Sequence, residues 1–154
     1  PMENIFSAVN DIIEKYKDTE LVFPMHLNPK VREIAYKIFK DKDRVHLIEP
    51  LDYEPMANLM SKVHLIVTDS GGLQEEGPTF GKPVLVVRRE TERPEGIEAG
   101  TAKLLGTEYA NIYNSLDLLL SNEEEYEKMA KAVNPYGDGK AAEYIVKAIK
   151  DNWV

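Results

Sequence analysis

Residues 65–87, LIVTDSGGLQEEGPTFGKPVLVV, give the clearest indication of the fold class of this chain. This stretch begins with an apolar run at 65–67 and ends with another at 84–87, and neither run alternates with polar residues. Such strands are typical of parallel sheets that helices cover on both faces. Residues 73–80 between them predict a helix, shortened at Gly77-Pro78 because proline removes a donor and clashes with the preceding turn. The stretch therefore predicts a strand–helix–strand unit.

The same alternation extends over the rest of the chain. Apolar runs and helical spacing predict strands at 21–23, 45–48 and 102–105, and helices at 3–17, from Pro29, and at 55–62, 109–120, 123–133 and 140–150. No internal repeat or Ser/Gly-rich linker divides the sequence. We predict a single α/β domain over residues 1–154, with a doubly wound parallel sheet.

Composition excludes several classes of protein. The 154 residues are 43% apolar and 30% charged, which is typical of globular domains rather than disordered ones. No apolar run approaches the roughly 18–20 residues of a membrane span. The absence of cysteine excludes disulfides and Cys-ligated metal sites and is compatible with a reducing, cytoplasmic location. A net charge of −8 disfavours nucleic acids and acidic membranes as partners, although a local pocket can still bind a small anion.

Polar residues follow each predicted strand, which places them at one edge of the sheet. His26 follows the first strand, Leu51 the second, residues 69–72 the third and residues 88–93 the fourth. Ligands of open parallel sheets bind beyond the carboxyl ends of the strands. We therefore expect the functional site at this edge, and His26 is either a ligand-binding or a structural residue of it.

The segment Ser70-Gly71-Gly72 is the most informative of these connections. Adjacent glycines let the backbone approach a ligand closely, and the N–H groups of a starting helix attract anions. The alternative is an ordinary helix start with Ser70 as its cap. Glu76 follows one helical turn later and can accept hydrogen bonds from the vicinal hydroxyls of a sugar at the same edge.

Arg88, Arg89 and Arg93 form the densest group of cations in the chain. Guanidinium groups bind diphosphates in a bidentate manner. Glu90 and Glu92 between them also allow a solvated loop whose charges neutralise one another. Both interpretations stay open on composition alone.

The histidines give no indication of a metal site. They lack cysteine partners and the spacing of metal ligands, so we predict neither a metal nor a cofactor. His46 and His64, within or beside strands, are expected to be packed and hydrogen-bonded. The sequence also contains no Ser–His–Asp order, Walker loop or GxGxxG motif.

Six motifs give the chain a more specific pattern. They are HLNP at 26–29, TDSGGLQEE at 68–76, GKPVL at 81–85, TERPE at 91–95, AGT at 99–101 and NPYGDG at 134–139. In this order they resemble the carboxyl-terminal half of the non-hydrolysing UDP-N-acetylglucosamine 2-epimerases, and the resemblance covers essentially the whole chain. It implies one Rossmann-like half of the two-domain architecture that these enzymes share with a class of glycosyltransferases.

The resemblance implies that the whole protein is an isomerase of cell-envelope polysaccharide biosynthesis. Such enzymes interconvert UDP-GlcNAc and UDP-ManNAc by anti elimination of UDP and syn re-addition to a 2-acetamidoglucal. The groups that move the C2 proton lie mainly in the amino-terminal domain of the family. The opening Pro1-Met2-Glu3-Asn4 is neither an initiator methionine nor a signal peptide, so we expect a fragment that is inactive alone. The resemblance also implies a cytoplasmic, homodimeric parent.

The resemblance further assigns roles to residues of the site. Ser70, Gly71 and Gly72 would bind the diphosphate, Glu76 the ribose hydroxyls and Arg93 the charged part of the substrate. Leu51 and Met56 fall in the segment that contacts uracil, where backbone contacts survive changes of side chain. Three alternatives stay open: the nucleotide domain of a sugar-nucleotide glycosyltransferase, a hydrolysing epimerase, and a nucleotide-binding module without enzymatic activity.

Overall fold

Strands and helices alternate along the chain in the computed structural model, which describes residues 1–153. The elements are α1 (Met2–Lys15), β1 (Leu21–Pro24), α2 (Pro29–Phe39), β2 (Val45–Ile48), α3 (Tyr53–Lys62), β3 (Ile66–Thr68), α4 (Gly71–Glu76), a 3₁₀ turn (Gly77–Phe80), β4 (Val84–Val86), α5 (Pro94–Glu98), β5 (Ala102–Leu104), α6 (Tyr109–Ser121), α7 (Glu123–Ala130) and α8 (Ala141–Asn152). Strand β1 pairs with β2, and β4 lies between β3 and β5. All these pairings are parallel, so the predicted class is confirmed.

Strand β4 shows why both faces of the sheet are apolar. Leu85 and the following Val87 belong to a cluster with α1, α2 and α6, whereas Val84 and Val86 belong to a second cluster with α3, α4 and α5. Successive side chains of a strand point to opposite faces. Helices therefore cover both faces of the sheet, as the continuous apolar run predicts.

Side chains connect the two groups of strands. Within residues 1–153 no backbone ladder joins β1 to β3. Phe23 of β1, Val67 of β3 and Leu85 of β4 instead share one apolar cluster. The ring of Phe23 packs edge-on against Phe6 of α1, with 5.3 Å between the ring centroids. Side-chain packing therefore joins the β1–β2 pair to the β3–β4–β5 sheet.

Several helix boundaries differ from the predictions. Helix α4 begins at Gly71 rather than at 73, because tertiary contacts outweigh the low helix propensity of two glycines. Helix α5, which contains Gly96 and only five residues, was not predicted. Helix α7 ends at Ala130, before the predicted residue 133.

Helix α8 lies on the surface of the described chain. None of its residues is buried, although it is amphipathic. Its apolar side chains are at least half exposed at Tyr144, Ile145, Val146 and Ile149. Across residues 1–153, no helix combines the length and the apolar character needed to span a bilayer.

Candidate functional site

The turn after β3 brings the chain into α4. Thr68, the last residue of β3, is buried, and its Oγ1 accepts a hydrogen bond of 3.0 Å from the N–H of Ser70. Ser70 then occupies the N-cap position, yet within residues 1–153 its side chain accepts no capping hydrogen bond. The exposed hydroxyl group of Ser70 therefore does not cap the helix.

Glu76 and Arg93 both lie beside the two glycines that begin α4. A methyl group on Gly72 would lie 3.8 Å from Oε1 of Glu76, and one on Gly71 would lie 4.0 Å from Nη2 of Arg93. The structure thus brings together Ser70, Gly71, Gly72, Glu76 and Arg93. These five residues form the candidate site.

Arg93 is held in place from two sides. Its Nε donates a hydrogen bond to the carboxylate of Glu75, and its Nη1 donates one of 3.1 Å to the backbone carbonyl of Glu92. The hydrogen bond and the charge of Glu75 raise the pKa of Arg93 above its usual value. With these two nitrogens engaged, Nη2 remains on the side of Gly71. A ligand at the glycine turn would therefore meet a guanidinium group whose orientation is already fixed.

Arg88 and Arg89 form ion pairs with other carboxylates. Nη1 of Arg88 contacts both carboxylate oxygens of Glu92, at 2.7 and 3.0 Å, and Arg89 lies 3.8 Å from Glu108. Arg88 and Arg89 are both paired with carboxylates, which agrees with the interpretation of a neutralised loop.

The carboxylate of Glu92 lies directly against the glycine turn. Its Oε1 would be 2.7 Å from a methyl group on Gly71. The pKa of Glu92 is lowered by its own backbone N–H and by Arg88. Glu92 therefore carries a negative charge at this position at neutral pH.

Three further residues, Met56, Leu51 and His26, were predicted to bind the ligand. Met56, in the first turn of α3, packs against the same apolar cluster as Leu73 of α4. Leu51 is half-buried between β2 and α3. His26 is exposed after β1, and its Nδ1 accepts a hydrogen bond of 3.1 Å from the N–H of Asn28. Among residues 1–153, no hydrogen bond or ion pair joins Leu51 or His26 to the candidate site.

A buried connection behind the site escaped the sequence analysis. Gln74 is completely buried; its Nε2 donates to the carbonyl of Ser70 at 3.2 Å, and its Oε1 accepts from the hydroxyl of Thr91 at 2.6 Å. The Oγ1 of Thr91 in turn accepts a 3.1 Å hydrogen bond from the N–H of Arg93. Both residues lie within the quoted motifs, which is the one indication that the sequence offered.

The expectation that His46 and His64 are packed and hydrogen-bonded is met in part: both residues are exposed, but each has a side-chain partner. Nε2 of His46 lies 2.7 Å from the carboxylate of Glu20. His64 stacks on Tyr126, with 4.0 Å between the ring centroids, and partial burial lowers its pKa. In the described part of the chain, no three His, Asp or Glu side chains are grouped so as to hold a metal ion.

The fold and the site define a Rossmann-like α/β domain with a polar cluster at the carboxyl edge of its sheet. Comparison with known families then identifies the chain more closely. The family model described as UDP-N-acetylglucosamine 2-epimerase matches residues 1–150. The chain belongs to this family, which confirms the resemblance of its motifs.

Individual relatives agree with this assignment. UDP-N-acetylglucosamine 2-epimerase of Bacillus subtilis is 56% identical over 149 residues, covering 97% of this chain and 39% of that protein. The S. aureus MnaA–UDP co-structure is 56% identical, with a TM-score of 0.93, and is matched over 97% of this chain and 41% of that one. The Neisseria meningitidis UDP-GlcNAc 2-epimerase bound to UDP-GlcNAc is 48% identical, with a TM-score of 0.91. The match covers 98% of this chain and 41% of that one. The chain thus spans 39–41% of the length of these relatives.

Proposed function

We propose that this chain is the carboxyl-terminal, UDP-binding domain of a UDP-N-acetylglucosamine 2-epimerase that interconverts UDP-GlcNAc and UDP-ManNAc. The observation that carries this proposal is the placement of Glu76 and Arg93 beside Gly71 and Gly72. It is supported by two relatives, one in a co-structure with UDP and the other bound to UDP-GlcNAc.

The diphosphate would bind at the start of α4. Gly71 and Gly72 have no Cβ, so phosphate oxygens can approach their backbone N–H groups. The hydroxyl of Ser70 can donate a further hydrogen bond, and Nη2 of Arg93 can contribute a charge-assisted one. The carboxylate of Glu92 lies beside Gly71, so a phosphate at the Gly71 N–H group would displace it.

The nucleoside would extend from the diphosphate along the edge of the sheet. Glu76, beside Gly72, can accept hydrogen bonds from both ribose hydroxyls. Uracil would contact the segment from Leu51 to Met56, mainly through its backbone. His26 at the end of β1 completes the proposed binding residues. No cofactor is needed for these roles.

The proposed reaction uses this domain to hold the leaving group. Elimination removes the C2 proton and breaks the bond from C1 to the diphosphate oxygen, giving 2-acetamidoglucal and UDP. Amides at the glycine turn and Arg93 would stabilise the charge that accumulates on the diphosphate. Re-addition returns this oxygen to C1 and a proton to the opposite face of C2. The groups that transfer the C2 proton would belong to the rest of the protein.

That remainder would be an amino-terminal Rossmann-like domain facing this one. The exposed apolar side chains of α8 support a further packing partner, because large apolar residues left exposed along an amphipathic helix favour an interface. The homodimeric state, the cytoplasmic location and the role in cell-envelope polysaccharide biosynthesis stay predictions for the whole protein.

Calorimetric titration of the 154-residue chain with UDP tests the binding proposal. We expect weak but saturable binding of UDP, because an isolated half lacks the opposing wall of the cleft, and much weaker binding of uridine, which lacks the diphosphate. The double variant Gly71→Ala, Gly72→Ala should remain folded by circular dichroism and lose UDP binding. Absence of heat with millimolar UDP, or unchanged binding by the double variant, would overturn the proposal.

Product analysis tests the proposed reaction. A longer protein that contains this chain should convert UDP-GlcNAc to UDP-ManNAc, as followed by proton NMR, whereas the 154-residue chain should not. Transfer of the sugar to an acceptor or release of free ManNAc would instead support a glycosyltransferase or a hydrolysing epimerase.

A further inference from the structure

Gln74 is a polar side chain with no access to solvent, and it lies in a short helix beside the candidate site. A buried amide without partners destabilises a protein, so its hydrogen bonds need explanation. Its two polar atoms bind the carbonyl of Ser70 and the hydroxyl of Thr91, which belong to different loops. The first loop follows β3 and the second follows β4, the neighbouring strand.

Thr91 extends this connection to the backbone of Arg93. The hydroxyl of Thr91 donates to Oε1 of Gln74 and accepts from the N–H of Arg93, so it is a donor and an acceptor at once. A continuous path of three hydrogen bonds therefore runs from the carbonyl of Ser70 to the N–H of Arg93. Both ends of this path are backbone groups of residues in the candidate site.

We infer that Gln74 and Thr91 are positioning residues, which hold the Ser70–Gly72 turn and Arg93 at a fixed separation so that both bind the same diphosphate. This inference rests on the proposed function and deepens it. Neither side chain contacts the ligand in this role. The guanidinium group of Arg93 has its own anchor in Glu75, so loss of the Thr91 hydroxyl would displace the backbone of Arg93 without removing its charge.

Substitution of Thr91 tests the inference by UDP titration of the 154-residue chain. Thr91→Val removes both hydrogen bonds of the hydroxyl at similar volume, and we expect it to weaken UDP binding about five-fold or more. Thr91→Ser keeps the hydroxyl and should bind UDP within about two-fold of the unaltered chain. Thr79→Val is the matched control, because Thr79 accepts an exposed hydrogen bond from Asn134 and lies outside the site. The affinity of the Thr79→Val variant for UDP should equal that of the unaltered chain.

A double-mutant cycle separates positioning from a general loss of stability. If Thr91 acts through Arg93, Thr91→Val should change UDP affinity less than about two-fold when Arg93→Ala is already present. The same five-fold loss in both backgrounds would overturn the inference, as would wild-type affinity in a folded Thr91→Val variant. If that variant does not fold, Thr91→Ala takes its place in the cycle. Failure of the unaltered chain to bind UDP would instead refute the proposed function.

Discussion

Gly71 and Gly77 lie six positions apart at the two ends of one helical segment, and the lack of a side chain has a different consequence at each. At Gly71 a methyl group would meet the flexible carboxylate of Glu92. At Gly77 it would lie 2.6 Å from Cγ2 of Val84 and 3.0 Å from Cδ1 of Ile66, both in the sheet. The neighbour of Gly71 is therefore a flexible side chain that a ligand can displace, whereas Gly77 sets the distance between helix and sheet.

Gly77→Ala should destabilise the chain by about 1–3 kcal/mol, because the new methyl group overpacks the interface with Val84 and Ile66. Urea unfolding followed by circular dichroism measures the change. Gly72→Ala is the control for stability, since the nearest side-chain atoms would be 3.8 Å from its methyl group, and it should be neutral or slightly stabilising. Equal stability of the two variants would contradict this account.

Glu92→Gln should strengthen the binding of UDP by about three-fold or more at low ionic strength, because it removes a negative charge beside the proposed diphosphate position. The gain should shrink at about 1 M salt, where charges are screened within about 3 Å. Titration at both salt concentrations measures the effect.

Glu90→Gln is the matched control in the same loop, because Glu90 is exposed and forms no ion pair within residues 1–153. Its affinity for UDP should stay close to that of the unaltered chain. Weaker UDP binding by Glu92→Gln would show instead that the carboxylate takes part in the site.

Among the secondary-structure elements, α1 and α6 are joined by a small polar cluster at one end. Oδ1 of Asp117 accepts hydrogen bonds from Nζ of Lys15 at 2.5 Å and from the hydroxyl of Tyr16 at 2.6 Å. These bonds, that of Lys15 first, hold the pKa of Asp117 below its usual value of 3.8. The contribution of Asp117 to stability is therefore present above this pH and is lost as the pH falls through the lowered pKa.

Asp117→Asn should reduce the loss of stability on acidification. The asparagine cannot bind a proton in this range, so its unfolding free energy should fall less between neutral pH and about pH 3 than that of the unaltered chain. Urea unfolding at both pH values measures the difference. Asp18→Asn, at an exposed position without a hydrogen bond in the described structure, should behave like the unaltered chain. An unchanged pH dependence for Asp117→Asn would refute the role of this cluster.

In the molecule as a whole, the apolar side chains of α8 are exposed, whereas those on the two faces of the sheet are buried in cores. Ile145 and Ile149, one turn apart, are 59% and 53% exposed, so they contribute little to the stability of this chain. Their role in the proposed function is contact with the remainder of a longer protein.

The double variant Ile145→Glu, Ile149→Glu should change the unfolding free energy of the 154-residue chain by less than about 0.5 kcal/mol, as is usual at the surface. In the longer protein the same variant should reduce conversion of UDP-GlcNAc, because charges would disrupt the interface. Lys147→Glu, on the opposite side of the helix, is the control for added charge. Full activity of the double variant would contradict the proposed interface.

The sequence predicts those features that depend on local pattern. Short apolar stretches, interrupted at His46 and Lys103, located the five strands of the described residues, and the SGG and TERPE motifs placed Gly71 and Arg93. The pairing of Arg93 with Glu75 and of Thr91 with Gln74 was not predictable, because these partners are 18 and 17 residues apart and meet only after β3 and β4 pair. Low glycine propensity places the start of α4 at residue 73, whereas a cap at Ser70 places it at Gly71, where the structure has it.

The hydrogen bond between Thr91 and Gln74 is internal to the folded chain and needs no ligand atom, so the entropy of ordering these two loops is lost during folding rather than on association. Binding of a nucleotide at this edge should then require side-chain movement only, that of Glu92, and stopped-flow traces should show one bimolecular step without a slow backbone rearrangement. Related nucleotides should then differ in their dissociation rate constants more than in their association rate constants.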